Sequence, residues 1–367
     1  MTAGRRAFLL VLTAAALSSA GWVRQPSANT LPARLTDREF WQLVEEASEP
    51  DGYFRSDNLV SNEDTYQYVI PDLQKTVKPG GVYVGVGPDQ NFTYIAAVRP
   101  RLAFIPDVRR GNLHTHLMYK ALFELSADRA DFVARLFSRA RPADVAGSSN
   151  AEALFDAINM LPPSRERFEA TRQAIMDLLR GTHGWPLSAD DAAGIGYVFG
   201  QFFESGPFLA YASGRGGRMR YPTFQDLQMA TDQGGVTRAY LATEDHFRFV
   251  KQLSGRNLIV PLVGNFGGPR TLRAIGAYVR ARGATVTTFY TSNVEQYLFQ
   301  DGLWRAFADN VASMPLDGTS TFIRSCFTSC SSPAGSRSVS LLDSMPGLLR
   351  DVAAGRITGY WDVLAHR

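Results

Sequence analysis

Cysteine and histidine are scarce in this chain, with two cysteines and five histidines among 367 residues. Two cysteines exclude a disulfide framework, and without histidines nearby they make a poor zinc site. Charge of one sign is also lacking. The net charge of +3 arises from 38 basic and 35 acidic residues with no basic run, which excludes a nucleic-acid or membrane-surface stripe. The longest apolar run, from Ala7 to Leu17, is too short to span a bilayer comfortably. No Gly-Lys-Ser/Thr P-loop and no Ser-His-Asp or nucleophile-elbow pattern is present. What remains is ordinary globular composition, 45% hydrophobic and 20% charged, long enough for one large domain or two moderate ones.

The first thirty residues read as an export signal and linker. Arg5-Arg6 precedes the apolar run, and Ser18-Ser19-Ala20 supplies small residues at cleavage spacing. The order Arg5-Arg6-Ala7-Phe8-Leu9 resembles a twin-arginine signal, with Gly4 where Ser or Thr usually stands. The expected destination is periplasmic or extracellular; the alternative is an N-terminal membrane anchor. No membrane span is expected in the mature chain. Cys326 and Cys330 would share one face of a helix or close a small ring in a loop, and an exported chain would allow a disulfide between them.

Strand and helix patterns alternate at both ends of the mature chain. Helices are expected at Leu35–Ser48 and Thr65–Lys75. A strand at Gly81–Val86, a helix at Gln90–Val98 and a strand at Leu102–Asp107 follow. Both strands are continuous apolar runs, as parallel strands covered on both faces require. Helical periodicity then dominates through Leu113–Leu125, Ala127–Phe137, Phe155–Met160, Arg165–Leu179, Asp190–Phe203 and Gln225–Ala230. Glycine- and proline-rich linkers such as Ser213–Gly217 separate these segments. Alternation resumes with a helix at Thr237–Leu253, strands at Asn257–Val263, Thr285–Tyr290 and Thr319–Arg324, and helices at Arg270–Arg282, Val294–Phe299 and Leu303–Met314. This predicts an α/β fold with a doubly wound, mostly parallel sheet. Residues 31–137 and 233–367 would form the α/β domain, and 138–232 a helical insertion or cap. Right-handed crossovers would bring the turns at Gly85, Asp107, Gly264 and Ser292 to one edge of the sheet, the default ligand edge.

The segment Val82–Asp107 carries the most chemistry. An apolar strand enters Gly85-Val86-Gly87-Pro88-Asp89-Gln90-Asn91, and a second apolar strand ends at Asp107. Gly85 permits a tight bend, Gly87 lets backbone amides approach a ligand, and a helix starting near Asp89 aims its N-terminus there. The acid at the end of the second strand suits ribose hydroxyls. The alternative is a purely structural turn. A dinucleotide fingerprint is excluded, because no third glycine follows and Asp89 would repel a pyrophosphate.

This segment resembles the first motif of class I S-adenosylmethionine-dependent methyltransferases, in which a hydrophobic strand leads to an acid, Gly-x-Gly and often Pro. The resemblance implies a sheet with its first strand central. It places Gly85, Gly87, Pro88, Asp89, Gln90, Asn91 and Arg109 around an S-adenosylmethionine cofactor, with Asp107 on its ribose. Tyr83 stands where the family has its acid, and Asp89 replaces the third glycine. The chain as a whole also resembles an uncharacterised bacterial family sharing the runs Gly85–His114 and Phe289–Phe299.

Three further groups bear on the site. Arg109 and Arg110 would either hold a carboxylate or phosphate, or face solvent after a strand. Tyr290–Tyr297 is a dense polar cluster after a buried strand, in which Ser292 or Asn293 would cap the next helix, contact a ligand, or both. Asn265 occupies the corresponding loop after the preceding strand. His114 and His116 would point apart on a helix and not chelate one metal, and Glu244-Asp245 reads as a solvated face rather than a base.

The leading expectation is a methyltransferase-like protein, its acceptor oriented by Asn265, Asn293 or Glu295. An exported small-molecule-binding pseudoenzyme is the alternative. A hydrolase using Asp107, Glu295 or His114 has the least support. The expected partner is a small molecule; neither oligomeric state nor acceptor is specified by the sequence.

Overall fold

The computed structural model describes residues 29–366 except 144, 146, 148, 212–220, 328, 329, 333 and 334. The expected leader therefore lies outside the described residues, apart from its last two positions, as does the whole Ser213–Gly217 linker. Among the described residues no helix is long and apolar enough to cross a membrane.

The first helix, α1 (Asp37–Ala47), starts at a capping box. Thr36 accepts from the Glu39 backbone, and the Glu39 carboxylate reaches back to Thr36, an arrangement typically stabilising by about 1 kcal/mol. Its buried face carries Phe40, Trp41 and Val44. The next helix, α2 (Ile70–Thr76), is shorter than the apolar pattern suggested. Pro71 sits in its first turn, where a missing N–H costs nothing, and Thr65–Val69 forms turns instead. Strand β1 (Val82–Gly85), helix α3 (Gln90–Val98) and strand β2 (Leu102–Asp107) follow as the periodicity predicts, with both strands fully buried.

Helices α4 (Arg110–Leu125), α5 (Arg129–Leu136), α6 (Ala151–Asn159) and α7 (Arg165–Met176) come next. A π-helical turn at Asp177–Thr182 extends α7. Helices α8 (Ala189–Ser205) and α9 (Phe224–Met229) complete the helical region. Between β2 and the next strand, the only bridge among the described residues is Ala210 with Thr223. Helix α10 (Glu244–Gly255) begins seven residues later than expected. Thr243 caps it by accepting from the His246 backbone, while Thr237–Ala242 runs as turns with Tyr240 and Leu241 buried.

The sheet then continues with β3 (Ile259–Val263), α11 (Thr271–Ala281), β4 (Val286–Ser292), α12 (Val294–Gln300), α13 (Trp304–Ala312) and β5 (Thr321–Cys326). Three elements were not foreseen: strand β6 (Val339–Ser344) and helices α14 (Met345–Ala353) and α15 (Tyr360–Ala365). The strand is hard to read because it mixes polar and apolar residues and is only partly buried.

Six strands form one mixed sheet in the order β3-β2-β1-β4-β5-β6. The first five run parallel; β6 returns antiparallel beside β5. Helices α3, α4 and α10 pack together, as do α11 and α13. The chain runs outward from β1 through β2 to β3 and then crosses back to β4, so right-handed crossovers put these two helical groups on opposite faces. The direction reverses between β1 and β4, and a crevice opens there beyond the carboxyl ends of the strands.

Two side-chain systems tie this frame together. Asp191, in the first turn of α8, receives both Arg110 Nε and Nη2 (2.6 and 3.0 Å) and His114 Nε2 (2.8 Å), clamping α8 to α4. At the β5–β6 end, Arg324 lies fully buried between Glu295 and Asp343. Cys326 and Cys330 form a disulfide at the end of β5.

Candidate ligand site at the sheet edge

A cavity of about 490 Å³ occupies the crevice, within the usual range for small-molecule sites. Its floor is the carboxyl end of the sheet: Val86, Gly87 and Pro88 after β1, Asp107 at the end of β2, Gly264 and Asn265 after β3, and Tyr290, Ser292 and Asn293 at the end of β4. The segment 53–63 and residues from the β5–β6 connection, Phe327 and Arg337, complete the wall. Aromatic rings are abundant, among them Tyr53, Phe54, Tyr211, Tyr221, Phe266 and Tyr297.

The turn after β1 is held from behind. Asn91 Nδ2 donates to the carbonyls of Val86, Gly87 and Pro88 (2.9, 3.1 and 2.8 Å), and Tyr83 Oη donates to Asn91 Oδ1 (2.8 Å). His116 Nε2 donates to the Gly87 carbonyl at 2.8 Å. Burial pushes His116 down to about 4, so the ring is neutral, with its proton on the nitrogen that faces the carbonyl. These bonds fix Gly87 at φ +80°, with open space where a side chain would stand. Only glycine adopts that conformation without strain.

This geometry corrects the assignment of the turn residues. Gly85 does not line the cavity: a side chain there would meet Asn91 Oδ1 at 2.1 Å and Tyr83 Oη at 2.5 Å. It is glycine because the protein itself fills the space. Asn91 and Gln90 are buried in the support of the turn, not at the ligand surface. Asp89 is buried on the far side, where Gln228 Nε2 donates to it at 3.0 Å, and burial raises its carboxyl to about 7. Tyr83 is core. Of the expected cofactor set, Gly87, Pro88, Asp107 and Arg109 reach the cavity.

Asp107 and Arg109 face it as a pair. The Arg109 backbone N–H donates to Asp107 Oδ1 at 2.9 Å, and its guanidinium lies 3.2 Å from that oxygen. Arg109 also donates to the Asp57 carbonyl. Arg110, by contrast, points to Asp191.

Asn265 and Asn293 both line the cavity, while Glu295 does not. The Asn265 side chain accepts from the Gly267 backbone at 2.9 Å, and its own N–H is held by Glu49. Asn293 sits at the N-cap of α12 but makes no capping bond. Ser292 lies just before it at φ +53°, outside the cap, and its hydroxyl donates to Glu63. Of this pair, Asn293 holds the expected N-cap position, without the side-chain bond that a cap usually supplies. Glu295 is buried against Arg324, a structural ion pair that leaves it unable to reach a ligand. His114 is committed to Asp191, so Asp107, Glu295 and His114 do not meet. Glu244 and Asp245 pair with Arg129 and Arg99 away from the cavity. No group of three or more His, Cys, Asp or Glu suited to a metal occurs among the described residues.

The residue that sequence reasoning missed is Glu63. It lies in irregular chain before α2, yet it is buried and lines the cavity. Tyr290 Oη donates to its Oε1 at 2.7 Å, Ser292 Oγ donates to the same oxygen, and Gln90 Nε2 donates to its Oε2 at 2.8 Å. Ser61-Asn62-Glu63-Asp64 has no period or motif; only the polar cluster at Tyr290–Ser292, which supplies two of its partners, hinted at a site here.

Fold and cavity together define a mixed α/β protein with a crevice at its topological switch point. A family model described as Domain of unknown function (DUF7790) matches residues 58–175 and 219–339. These segments make up more than half of the chain, which belongs to that family. They contain Glu63, the β1 turn, Asp107, Asn265 and the Tyr290–Asn293 cluster. No curated protein matches the chain.

Proposed function

We propose that the crevice holds an S-adenosylmethionine-type nucleoside cofactor and that the protein is a methyltransferase-like enzyme. The observation that carries this reading is the position of the cavity. It opens where the strand order reverses, between a left-handed glycine after β1 and a carboxylate at the end of β2. Central β1 agrees with the resemblance carried by Val82–Asp107. The residues present fit such a group: Gly87 leaves its cavity side open, and Asp107, on the cavity wall at the end of β2, would receive the ribose hydroxyls. When bound, the cofactor would supply an electrophilic methyl group. The chain's part would be to position the acceptor, with Asn265 and Asn293 orienting it, and to exclude water behind the 53–63 segment.

A second reading, binding without methyl transfer, is favoured by two observations. Asp107 is already engaged by Arg109, and Glu295 is locked to Arg324, so no expected acid–base group is available beside Asn265 and Asn293. Calorimetry on the full chain with S-adenosylmethionine and S-adenosylhomocysteine separates these readings. Micromolar binding is expected; absence of binding at millimolar ligand removes the nucleoside reading. Binding without turnover on a broad acceptor panel leaves the second.

Export remains part of the proposal, on the strength of Arg5-Arg6 and the apolar run that follows. The Cys326–Cys330 disulfide supports an oxidising destination. Cell fractionation is expected to find the protein outside the cytoplasm, and a wholly cytoplasmic pool would refute export.

A further inference from the structure

Glu63 stands apart from the ion-paired buried acids of this protein, and Asp89, which also makes no ion pair among the described residues, does not line the cavity. Asp191, Asp343 and Glu295 each face an arginine or histidine. Glu63 is 1% exposed and makes no ion pair among the described residues. Its three side-chain partners, Tyr290, Ser292 and Gln90, are neutral. A carboxylate has about four acceptor sites; two donors occupy Oε1 and one occupies Oε2. Burying an unpaired charge is costly, and three neutral hydrogen bonds offset only part of that cost. The carboxylate nonetheless lies on the wall of the cavity at the switch point.

Gln90, which holds Glu63, leaves its Oε1 without a partner among the described residues. Asp107, the other buried acid of the wall, is neutralised by Arg109 and cannot take the same role.

We propose that Glu63 is the charged anchor of the cavity and that the group it receives is an ammonium on the ligand. This inference rests on the nucleoside reading for the identity of the rest of the ligand, which would carry its amine on an arm reaching from the glycine turn toward β4. No residue of the β1 motif supplies such an anchor. The Tyr83 hydroxyl is spent on Asn91, and the carboxylate comes instead from chain preceding the sheet.

The test uses the full chain and Glu63→Gln. This substitution keeps the shape and removes the charge. A flip of Gln90 would bring its unpartnered Oε1 to the introduced amide, so the variant is expected to fold. Ligand-free wild type and variant are first compared by thermal unfolding. The proposal expects the variant to be as stable as wild type or more so, because an unpaired buried charge has been removed. A fall of many degrees would show Glu63 to be a structural tie and overturn the proposal.

Affinities are then measured for two nucleosides, methylthioadenosine, which has no aliphatic amine, and S-adenosylthiopropylamine, which keeps one and lacks a carboxylate. Wild type is expected to bind the amine at least tenfold more tightly, and Glu63→Gln to erase that ratio while leaving methylthioadenosine unchanged. An equal loss for both nucleosides, or an unchanged ratio, overturns the anchor while leaving the nucleoside reading intact. If neither nucleoside binds wild type, the nucleoside reading falls, and the anchor is judged on the unfolding comparison.

Discussion

The two glycines of the β1 turn look equivalent in the sequence and do opposite things. Gly85 is enclosed by Asn91 and Tyr83, whereas Gly87 is open on its cavity side but held at φ +80°. Gly85→Ala should therefore cost about 3 kcal/mol through overpacking, with the Tyr83–Asn91 bond broken and the turn displaced. Gly87→Ala should cost about 1 kcal/mol of backbone strain, yet weaken ligand binding the more per unit of lost stability. Urea unfolding and calorimetry on the two variants measure both quantities; equal stability losses would refute the distinction. A glycine pair in a sequence records that side chains are unwelcome, but not whether protein or ligand excludes them. That is why Gly87 and Asp107 were legible as cavity residues, while Gly85, Asp89, Gln90 and Asn91, expected beside them, lie outside the cavity lining. Glu63 was illegible for another reason: its role arises from partners on α3 and β4, with no local pattern to mark it.

Among the elements, those buried on both faces were read best. Strands β1 to β3 are marked directly by their apolar runs, while β4 and β5, equally buried, mix Phe and Ile with Thr, Ser and Arg324 and were read from the β-branched and aromatic residues among them. Strand β6 is only partly buried and mixes polar with apolar residues, and it escaped notice. The α4–α8 clamp is likewise invisible to periodicity, since Asp191 reads as an ordinary first-turn acid. Burial would raise its carboxyl, but the bonds from Arg110, His114 and Ser188 outweigh it and hold Asp191 well below the usual carboxylate range. A depressed carboxyl contributes stability that is present above its unfolded value, about 3.9, and lost as pH falls toward the folded one. Asp191→Asn is expected to lower the melting temperature at pH 7, with the deficit shrinking as pH falls from about 5 to below 3. A deficit that stays constant across that range would show that the clamp acts by packing alone.

At the scale of the whole molecule, sequence alternation was sufficient to locate the ligand edge. It required only that parallel strands connect by right-handed crossovers, and the turns after β1, β2, β3 and β4 do converge on one cavity. The sequence could not show what closes that cavity, because the 53–63 segment and the β5–β6 connection have no regular structure at the points where they line it. The wall thus joins chain from before the first strand to β4, with Glu63 bonded to Tyr290 and Ser292 across more than 220 positions, and to the β5–β6 connection, where Asp64 accepts from the Arg337 and Ser338 backbones. Closing so long a loop is slow and is rewarded only when both ends are in place. The crevice should accordingly be among the last features to assemble, and any occupant would act as a staple between the two ends of the fold. Its binding energy would then add to the global unfolding barrier of the native state, so that saturation with ligand protects the entire chain from proteolysis and not merely the loops that touch it.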